Sequence, residues 1–479
     1  MRLRKIPTSV TSAIIATATI AALLIMLITI DEIQNADLPY HPNEKNLTDL
    51  TIQHEDASFG GRTLTRIPLL EATYLLLEGI LGSLGARAAL LLAFASSLFL
   101  LTALAARLAD SHYAALFALL LIASSPVVLA KPLAFNDALL AVPLLLMMLF
   151  LLESKRTAFP LLLSAFLLVT LVNLTSALII LALIIAHTIA VSHGKAHDTK
   201  RIELIFAFLA LFGLALLLFF REPTADAILT LSPHLTTIDD PLSVLQRILS
   251  LGPLLLAAAS ASAYLIYARK MTWAYTTLAL SAVSLAMMLI SDHEIYTTTF
   301  AFTAAAMSAI AFSYLFGYVS VSKIADYRKA LSAAIAIFII IAGTAQSAVT
   351  ITTTLADLPG ENELRAYEFV RERTSEDAII FTPIERASVA AYYTQRTPLI
   401  TKDFTGVADP DRWHSDHTVL TTARSTLRAL HVINAHSIEA LIFTEPVPFY
   451  LNETERDQRC FETHDFTNIQ VFFVRCSIS

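Results

Sequence analysis

The chain has 479 residues, of which 56% are hydrophobic and 15% charged, and its formal net charge is −7. Soluble domains contain about 45–50% apolar and about 25% charged residues, so this composition argues against a soluble enzyme or a secreted disulfide scaffold. The charges concentrate in residues 31–87 and 358–479 and are mixed in sign, which argues against a nucleic-acid partner. Long apolar stretches between short charged loops are typical of a polytopic α-helical membrane protein.

Eleven apolar stretches predict transmembrane helices, although several are shorter than the roughly 20 residues that cross a bilayer upright. The first stretch follows Met-Arg-Leu-Arg-Lys and is longer than the apolar core of a signal peptide, so we expect an uncleaved anchor. In chain order the stretches cover about residues 8–30, 88–106, 112–130, 137–152, 158–172, 177–191, 202–220, 249–267, 272–290, 296–320 and 330–351.

The basic residues orient these helices and predict a plasma-membrane protein whose N-terminus is cytoplasmic. The short outer turns then carry only Lys131, Arg221 and Arg247, which is the asymmetry that the positive-inside rule requires. The side of the membrane assigned to each later loop depends on dividing the uncharged residues 157–192 into two helices at residues 173–176. The basic residues of the inner loops are Arg2, Arg4, Lys5, Arg107, Lys155, Arg156, Lys195, Lys200, Arg201, Arg269, Lys270, Lys323, Arg328 and Lys329.

The last segment, residues 358–479, lies on the outer side in this topology. Helix-period patterns alternate there with short β-type runs, so we expect a small extracytoplasmic α/β domain beside a multi-pass domain of residues 1–357. The helical patterns cover residues 362–374 and 418–435, and the β-type runs cover residues 378–382, 440–444 and 471–475.

Both cysteines of the chain, Cys460 and Cys476, lie in this predicted domain. An oxidising compartment favours a disulfide between them, which would close a loop of about 17 residues. Two free, buried thiols are the alternative. Neither cysteine belongs to a CxxC pair or has the spacing of a metal ligand.

Acidic residues mark the predicted outer surface of the membrane at two places. Asp31 and Glu32 follow the first span directly, and Asp137 opens the fourth span after the second outer loop. A carboxyl group held against an apolar boundary has its pKa raised, which suits a general base. The structural alternatives are that Asp31 and Glu32 only end the first helix and that Asp137 or Asn136 caps the fourth.

A surface helix is predicted within the long first outer loop (residues 31–87). Residues 68–84 form an apolar stretch in which Glu71 and Glu78 share one face, as in an interfacial amphipathic helix. Cations at this depth are placed to hold a lipid phosphate group, and membrane anchoring by long basic side chains is the alternative. The cations in question are Arg62, Arg66, Arg87 and Lys131.

The order of these landmarks resembles the GT-C superfamily of polytopic glycosyltransferases, especially the branch of protein O-mannosyltransferases and aminoarabinose transferases. The resemblance covers about residues 8–192. Asp-Glu after the first span is followed by a long outer loop, Arg-x-Pro-Leu at the surface helix, and Gly-Ala-Arg-Ala-Ala at the second span. Ser-Pro then precedes the second outer loop, and Asn-Asp-Ala-Leu-Leu opens the fourth span.

The resemblance implies a sugar donor linked through phosphate to a polyprenol or dolichol and used on the outer side. It implies that Asp31 is the catalytic aspartate with Glu32 beside it, that Asp137 is the second acidic position, and that Arg87 contacts phosphate. Thr65-Arg66-Ile67 replaces the family's histidine or lysine before the proline. The Trp-Trp-Asp-Tyr-Gly acceptor motif is absent, which disfavours en-bloc transfer of an oligosaccharide to asparagine.

Sugar transfer from such a donor is chemically consistent with these residues. A polyprenyl phosphate is a fair leaving group that no acid need protonate, whereas the acceptor must lose a proton to a base. We expect Asp31 to be that base, and Arg87, with Arg66 or Lys131, to bind the phosphate. Attack opposite the leaving phosphate would invert the anomeric centre. Asp137 would orient the acceptor or these cations. No cofactor is expected to be required. A divalent metal on Asp31, Asp137 and His54 or Glu55 is the alternative, and no DxD motif is present.

Three functions remain open at this stage. A glycosyltransferase acting on a protein, lipid or glycan acceptor is the leading one, with membrane lipids as its surroundings. A transporter or flippase of lipid-linked sugars would be expected to carry ionisable residues near the midplane, which the predicted spans lack. A non-catalytic GT-C-like scaffold is the third.

A second candidate site lies in the predicted outer domain, where His414, Asp416 and His417 are close together in sequence. They could hold a metal ion, but we favour a solvated loop at this position.

Overall fold

The protein is described by a computed structural model that covers residues 53–56, 58, 62–65, 69–125, 128, 138–152, 168, 251–290, 294–321, 327–356, 359–384, 386–401, 410–444, 447–451 and 459–476. These residues belong to two compact units. One is a helical bundle formed by the described residues from 69 to 354. The other is an α/β unit that combines residues 53–65 with the described residues from 355 onward.

Seven long helices form the described part of the bundle, because the segments between their ends are almost free of charge and of helix-breaking residues. They are α1 (Leu69–Ala109), α2 (His112–Ala123), α3 (Ala138–Leu152), α4 (Pro253–Ala268), α5 (Tyr275–Ile290), α6 (Glu294–Val321) and α7 (Arg328–Ala356). Two helical segments among the described residues, Ala88–Ala109 and Ile295–Val321, are long and apolar enough to cross a membrane.

Helix α1 consists of two helical segments that meet at Gly82. The glycine has φ 75° and ψ 169°, a conformation that residues with a Cβ rarely adopt, so the regular helix is interrupted there. The first segment coincides with the predicted surface helix of residues 68–84, and the second contains the predicted span of residues 88–106. The sequence therefore located both segments, but the predicted surface helix ran through Gly82, where the structure interrupts the helix.

Helix α6 is the centre of the bundle. Every residue from 295 to 310 is buried, and the helix contacts α1, α2, α3, α4 and α5. Small and hydroxylated side chains allow this close packing, as is common between helices in membranes. The hydroxyl of Thr303 donates to the carbonyl oxygen of Thr299 at 2.9 Å, and that of Ser308 donates to Ala304 at 2.8 Å. These bonds satisfy the hydroxyls within the helix itself.

Predicted spans and observed helices agree for most of the described chain, but α2 is shorter than the third predicted span. In the span predicted at residues 112–130, α2 ends at Ala123 with Ser124 as its C-cap, shortly before Pro126, and Val128 is again helical. Proline cannot continue a helix without losing a backbone hydrogen bond. The predicted spans at residues 8–30, 177–191 and 202–220, and all but residue 168 of the span at 158–172, lie outside the described residues. The count of eleven therefore stays a prediction.

The α/β unit contains a mixed five-stranded sheet and a separate hairpin. The hairpin pairs β1 (Gln53–Asp56) with β2 (Arg62–Thr65) in antiparallel fashion. The sheet has the order β4-β3-β5-β7-β6, in which β4, β3 and β5 are parallel and β5, β7 and β6 are antiparallel. Its strands are β3 (Ile379–Phe381), β4 (Thr397–Pro398), β5 (Ile438–Thr444), β6 (Phe461–Phe466) and β7 (Ile469–Val474).

Helices cover both faces of this sheet, because successive residues of the central strand β5 point to opposite sides and are buried on each. Leu441 and Phe443 pack with α10 (Pro410–Thr422) and α11 (Thr426–Ala435). Ala440 and Ile442 pack with α8 (Glu361–Arg373) and α9 (Ala387–Thr394). Residues 418–435, predicted as one helical run, are divided between α10 and α11, since Ser425 has the extended backbone of an N-cap residue.

The two cysteines are joined in a disulfide at the open end of the β6–β7 hairpin, with their Cα atoms 4.6 Å apart. Cys460 directly precedes β6, and Cys476 lies two residues after β7. The amide of Arg475 donates to the carbonyl oxygen of Cys460 at 2.8 Å, so a backbone hydrogen bond supports the covalent link.

Candidate functional site

The predicted catalytic residues fall on segments that the structure describes only in part. Asp31, Glu32, Arg66, Lys131 and Asp137 lie outside the described residues, so their convergence on one site stays a prediction. Arg62 and Arg87 are described by their backbone alone: Arg62 begins β2, and Arg87 lies in α1, five residues after the break at Gly82.

Arg87 stands where the long apolar segment of α1 begins. The next residue, Ala88, is the first of a 22-residue apolar segment, and the neighbouring Ala86 and Leu90 are 0% and 1% exposed. The arginine is thus placed at the boundary between a surface segment and a span. Such a position suits a cation that contacts a lipid phosphate.

Asp137 directly precedes α3, and α3 runs in the same direction as α1. The guanidinium carbon of Arg107, near the C-terminus of α1, lies 5.9 Å from the ring centre of Phe150, near the C-terminus of α3. Since the two helices also contact each other along the bundle, their N-terminal ends point to the same side. Arg87 and Ala138, the first described residue of α3, therefore lie toward the same side of the bundle.

The connection between α2 and α3 is described only at residues 124, 125 and 128. The described residues that border it on both sides are buried: Ser125 is 4%, Val128 0% and Ala138 4% exposed.

The start of this connection is held against α7. The hydroxyl of Ser124 donates to the carbonyl oxygen of Leu120 at 2.8 Å and reaches that of Ile339 in α7 at 3.5 Å. Gly343 permits this approach, since a Cβ at that position would lie 2.2 Å from the Ser124 hydroxyl oxygen. Sequence reasoning missed this contact, because nothing local distinguishes Gly343 from other helical glycines.

The second candidate site, around Asp416, is a helix surface and not the solvated loop that we favoured. His414, Asp416 and His417 lie in α10, where the Oδ2 atom of Asp416 is 2.8 Å from Nε2 of His436. His417 packs on Phe381, with ring centres 5.7 Å apart. Across the described residues, no group of three histidine, cysteine, aspartate or glutamate side chains could hold a metal ion.

A buried carboxylate that the sequence did not single out lies in the same unit. Glu363 is 6% exposed and accepts a hydrogen bond of 2.6 Å from the hydroxyl of Tyr367. Burial raises the pKa of Tyr367, and the adjacent Glu363 carboxylate adds to that rise. Arg386 is 3.5 Å from Glu363, so the cluster is charge-paired and joins α8 to the start of α9. We assign it a structural role.

Neither a protein-family model nor a curated protein matches the sequence. Comparison of the structure with solved structures does identify similar proteins. The apo oligosaccharyltransferase of Archaeoglobus fulgidus aligns with a TM-score of 0.61 at 15% identity, over 90% of this chain and 69% of that one. Apo ArnT from Cupriavidus metallidurans aligns with a TM-score of 0.53 at 10% identity, over 96% of this chain and 98% of that one.

A second structure of the archaeal enzyme, AglB in complex with an inhibitory peptide and a dolichol-phosphate, aligns with a TM-score of 0.50 at 12% identity. The alignment covers 84% of this chain, which spans only 64% of that protein's length. Both kinds of neighbour are GT-C glycosyltransferases. The chain therefore has the fold of these GT-C glycosyltransferases, which is the fold that the order of its motifs predicted.

Proposed function

We propose that the protein is a membrane glycosyltransferase that takes a sugar from a polyprenyl- or dolichyl-phosphate donor and transfers it to an acceptor on the extracytoplasmic side. The observation that supports this most strongly is the likeness to ArnT over nearly the whole length of both chains, with 96% of this chain covered. That ArnT structure contains undecaprenyl phosphate, and the archaeal structure contains a dolichol-phosphate.

The proposed reaction breaks the bond between the anomeric carbon and the phosphate oxygen of the donor. An acceptor group attacks from the opposite face, so the anomeric centre is inverted, and its proton passes to the carboxylate of Asp31. Arg87, with Arg66 or Lys131, would neutralise the charge on the departing phosphate. Glu32 lies beside the base, and Asp137 would orient the acceptor or the cations.

Two described features support this assignment. Arg87 directly precedes the apolar segment of α1 that is long enough to cross a membrane, where a donor phosphate would meet the membrane surface in our proposal. Val128 and Ala138, the described residues nearest in sequence to Lys131 and Asp137, are 0% and 4% exposed. A site among buried residues is shielded from bulk water, which strengthens electrostatic stabilisation of a developing charge.

The motifs of the chain favour transfer of a sugar in the manner of ArnT-like enzymes over en-bloc transfer to asparagine, because the Trp-Trp-Asp-Tyr-Gly motif is absent from the sequence. In our proposal no metal is required, the membrane domain has eleven spans with a cytoplasmic N-terminus, and residues 358–479 lie outside.

Transport of a lipid-linked sugar is the second candidate, and the described spans disfavour it. Helices α4 and α5 and residues 295–321 contain no ionisable side chain apart from tyrosine. A pathway for a charged substrate is expected to carry costly, functional ionisable groups within the bilayer.

The test is a transfer assay in membranes with a mixture of radiolabelled polyprenyl-phosphate sugars. We compare the unchanged protein with Asp31→Asn and with Asp49→Asn, a matched change in the same outer loop. Label should pass to an acceptor with the unchanged protein and with Asp49→Asn, and it should be lost with Asp31→Asn. Equal transfer by all three would remove Asp31 from the mechanism. No transfer with any donor would contradict the proposed function.

A further inference from the structure

Beyond the proposed transfer reaction, we propose that the opposite end of the helical bundle carries a binding site for the phosphate head group of an anionic phospholipid. The site is a surface at the end of α4 and the adjoining turns of α6, which we call the cation–tyrosine surface. It consists of Tyr264, Tyr267, Arg269, Lys270, Tyr314 and Tyr318.

Two contacts place this surface at the end of the bundle away from Arg87. The hydroxyl of Ser313 in α6 donates to the carbonyl oxygen of Ala109, the last residue of α1, at 3.1 Å. The guanidinium carbon of Arg269, at the end of α4, lies 5.8 Å from the ring centre of Tyr314 in α6. The C-terminal ends of α1, α4 and α6 therefore meet, whereas Arg87 begins the span of α1.

The two cations of the surface have no acidic partner in the described part of the chain. Arg269 and Lys270 are exposed, and helices α4 and α5 contain no aspartate or glutamate. The backbone of both residues is fixed: the amide of Arg269 donates to Leu265 at 3.0 Å, and Lys270, with φ 50°, donates to Tyr267 at 3.2 Å. Among the described residues, no ion pair neutralises these two adjacent charges.

The tyrosines add exposed aromatic rings and hydroxyl groups beside the two cations. Tyr264, Tyr267 and Tyr318 are 70%, 77% and 73% exposed, and Tyr314 is 39% exposed. Tyr264 and Tyr267 are three residues apart on α4, and Tyr314 and Tyr318 are four apart on α6, so each pair shares a helix face. Phenols of this kind lie at membrane interfaces with the ring in the apolar region and the hydroxyl among head groups.

The charge and chemistry of this surface specify the occupant. A phosphodiester with a net negative charge offers acceptor oxygens for the Arg269 guanidinium, the Lys270 ammonium and the tyrosine hydroxyls at once. A zwitterionic lipid carries its own cation, which would face two unpaired positive charges. We therefore expect an anionic phospholipid such as phosphatidylglycerol to bind in preference to phosphatidylcholine.

The test uses the full chain in nanodiscs of phosphatidylcholine with or without phosphatidylglycerol. Retained lipid is counted by native mass spectrometry, and thermal unfolding is followed in parallel. Phosphatidylglycerol should remain bound and raise the unfolding temperature. Replacing Arg269 and Lys270 together by glutamine should lower its affinity by roughly thirtyfold, since each basic residue near an anionic surface contributes about 1 kcal/mol.

Two further variants separate a defined site from general attraction. Lys329→Gln removes another exposed cation, at the start of α7, and should retain the bound lipid. Tyr264→Phe with Tyr267→Phe keeps every charge and the fold but removes two donors, and should weaken binding by an intermediate amount. Equal retention by the unchanged protein and the Arg269/Lys270 variant, or an equal loss with Lys329→Gln, would overturn the proposal.

Discussion

Single residues decide how closely the helices approach, and Gly343 is the clearest case. A Cβ there would lie 2.2 Å from the hydroxyl oxygen of Ser124 and 2.8 Å from its backbone carbonyl oxygen, so a flexible side chain could not relieve the clash. We expect Gly343→Ala to destabilise the bundle by roughly 1–3 kcal/mol. Thermal unfolding of the purified protein measures this loss.

Gly317 in α6 provides the control for that experiment, because nothing lies within 4 Å of the position of its missing Cβ. Gly317→Ala should leave the unfolding temperature unchanged or raise it slightly, since alanine has the higher helix propensity. An equal effect of the two substitutions would contradict the close contact between α2 and α7.

The carboxyl group of Glu462 contributes to the loss of stability of the α/β unit at acid pH. Hydrogen bonds from Arg475 and His464 hold the pKa of its carboxyl below the ordinary value of 4.5. A group whose pKa is depressed on folding stabilises the folded state above its unfolded pKa, and this contribution is lost as the pH falls through the folded value. Glu462→Gln should therefore flatten the decline of the unfolding temperature below pH 4.5.

Glu372→Gln is the matched change for this measurement, since Glu372 is an exposed acid at the end of α8. The variant should keep the acid-side decline of the unchanged protein. If Glu462→Gln and Glu372→Gln gave the same pH profile, the hydrogen bonds at Glu462 would not be responsible.

Among the elements, the two-part helix α1 depends on Gly82. An alanine at φ 75° and ψ 169° would be strained by about 1–3 kcal/mol, although no neighbouring atom lies within 4 Å. Because the break precedes Arg87, we expect Gly82→Ala to lower both the unfolding temperature and the rate of sugar transfer. Gly79→Ala meets the same open space within the helix and should change neither by a comparable amount.

The β6–β7 hairpin depends on its disulfide. Closing a loop with a sequence separation of 16 residues stabilises a domain by about 3 kcal/mol, chiefly by restricting the unfolded chain. A reductant should therefore lower the urea midpoint of unfolding of the α/β unit. The variant with serine at both Cys460 and Cys476 should start from the lower midpoint and show no further response to reductant. A response in that variant would contradict the assignment.

For the whole molecule, the odd number of proposed spans places the two ends of the chain on opposite sides of the membrane. Because Cys460 and Cys476 form a disulfide, a thiol reagent reacts only with a newly introduced cysteine and reports on which side of the membrane it lies. In intact cells a membrane-impermeant maleimide should label Asn468→Cys, in the exposed β6–β7 turn, and should label Lys329→Cys only after permeabilisation. Labelling of both from one side would overturn the eleven-span topology.

The described helices and strands were largely predictable, because they depend on local patterns. The helical segments at residues 88–109 and 294–321 follow from uninterrupted apolar runs, and β5 and β7 follow from short β-type runs. The errors have non-local causes. Residues 418–435 divide because α10 and α11 pack separately against the sheet. His414 and His417 lie on α10, which is helical because Trp413 and Leu420 pack into the core of the α/β unit.

The sequence by itself determined the GT-C fold class, the two segments of α1 and the candidate acids and cations, because hydrophobicity and the order of motifs are read along the chain. Only the tertiary structure decided that Ser124, just after α2, lies against α7 and that α1 and α3 run in the same direction. These facts depend on contacts between residues far apart in sequence, such as Ser124 with Gly343 and Arg107 with Phe150, whose partners no local pattern specifies.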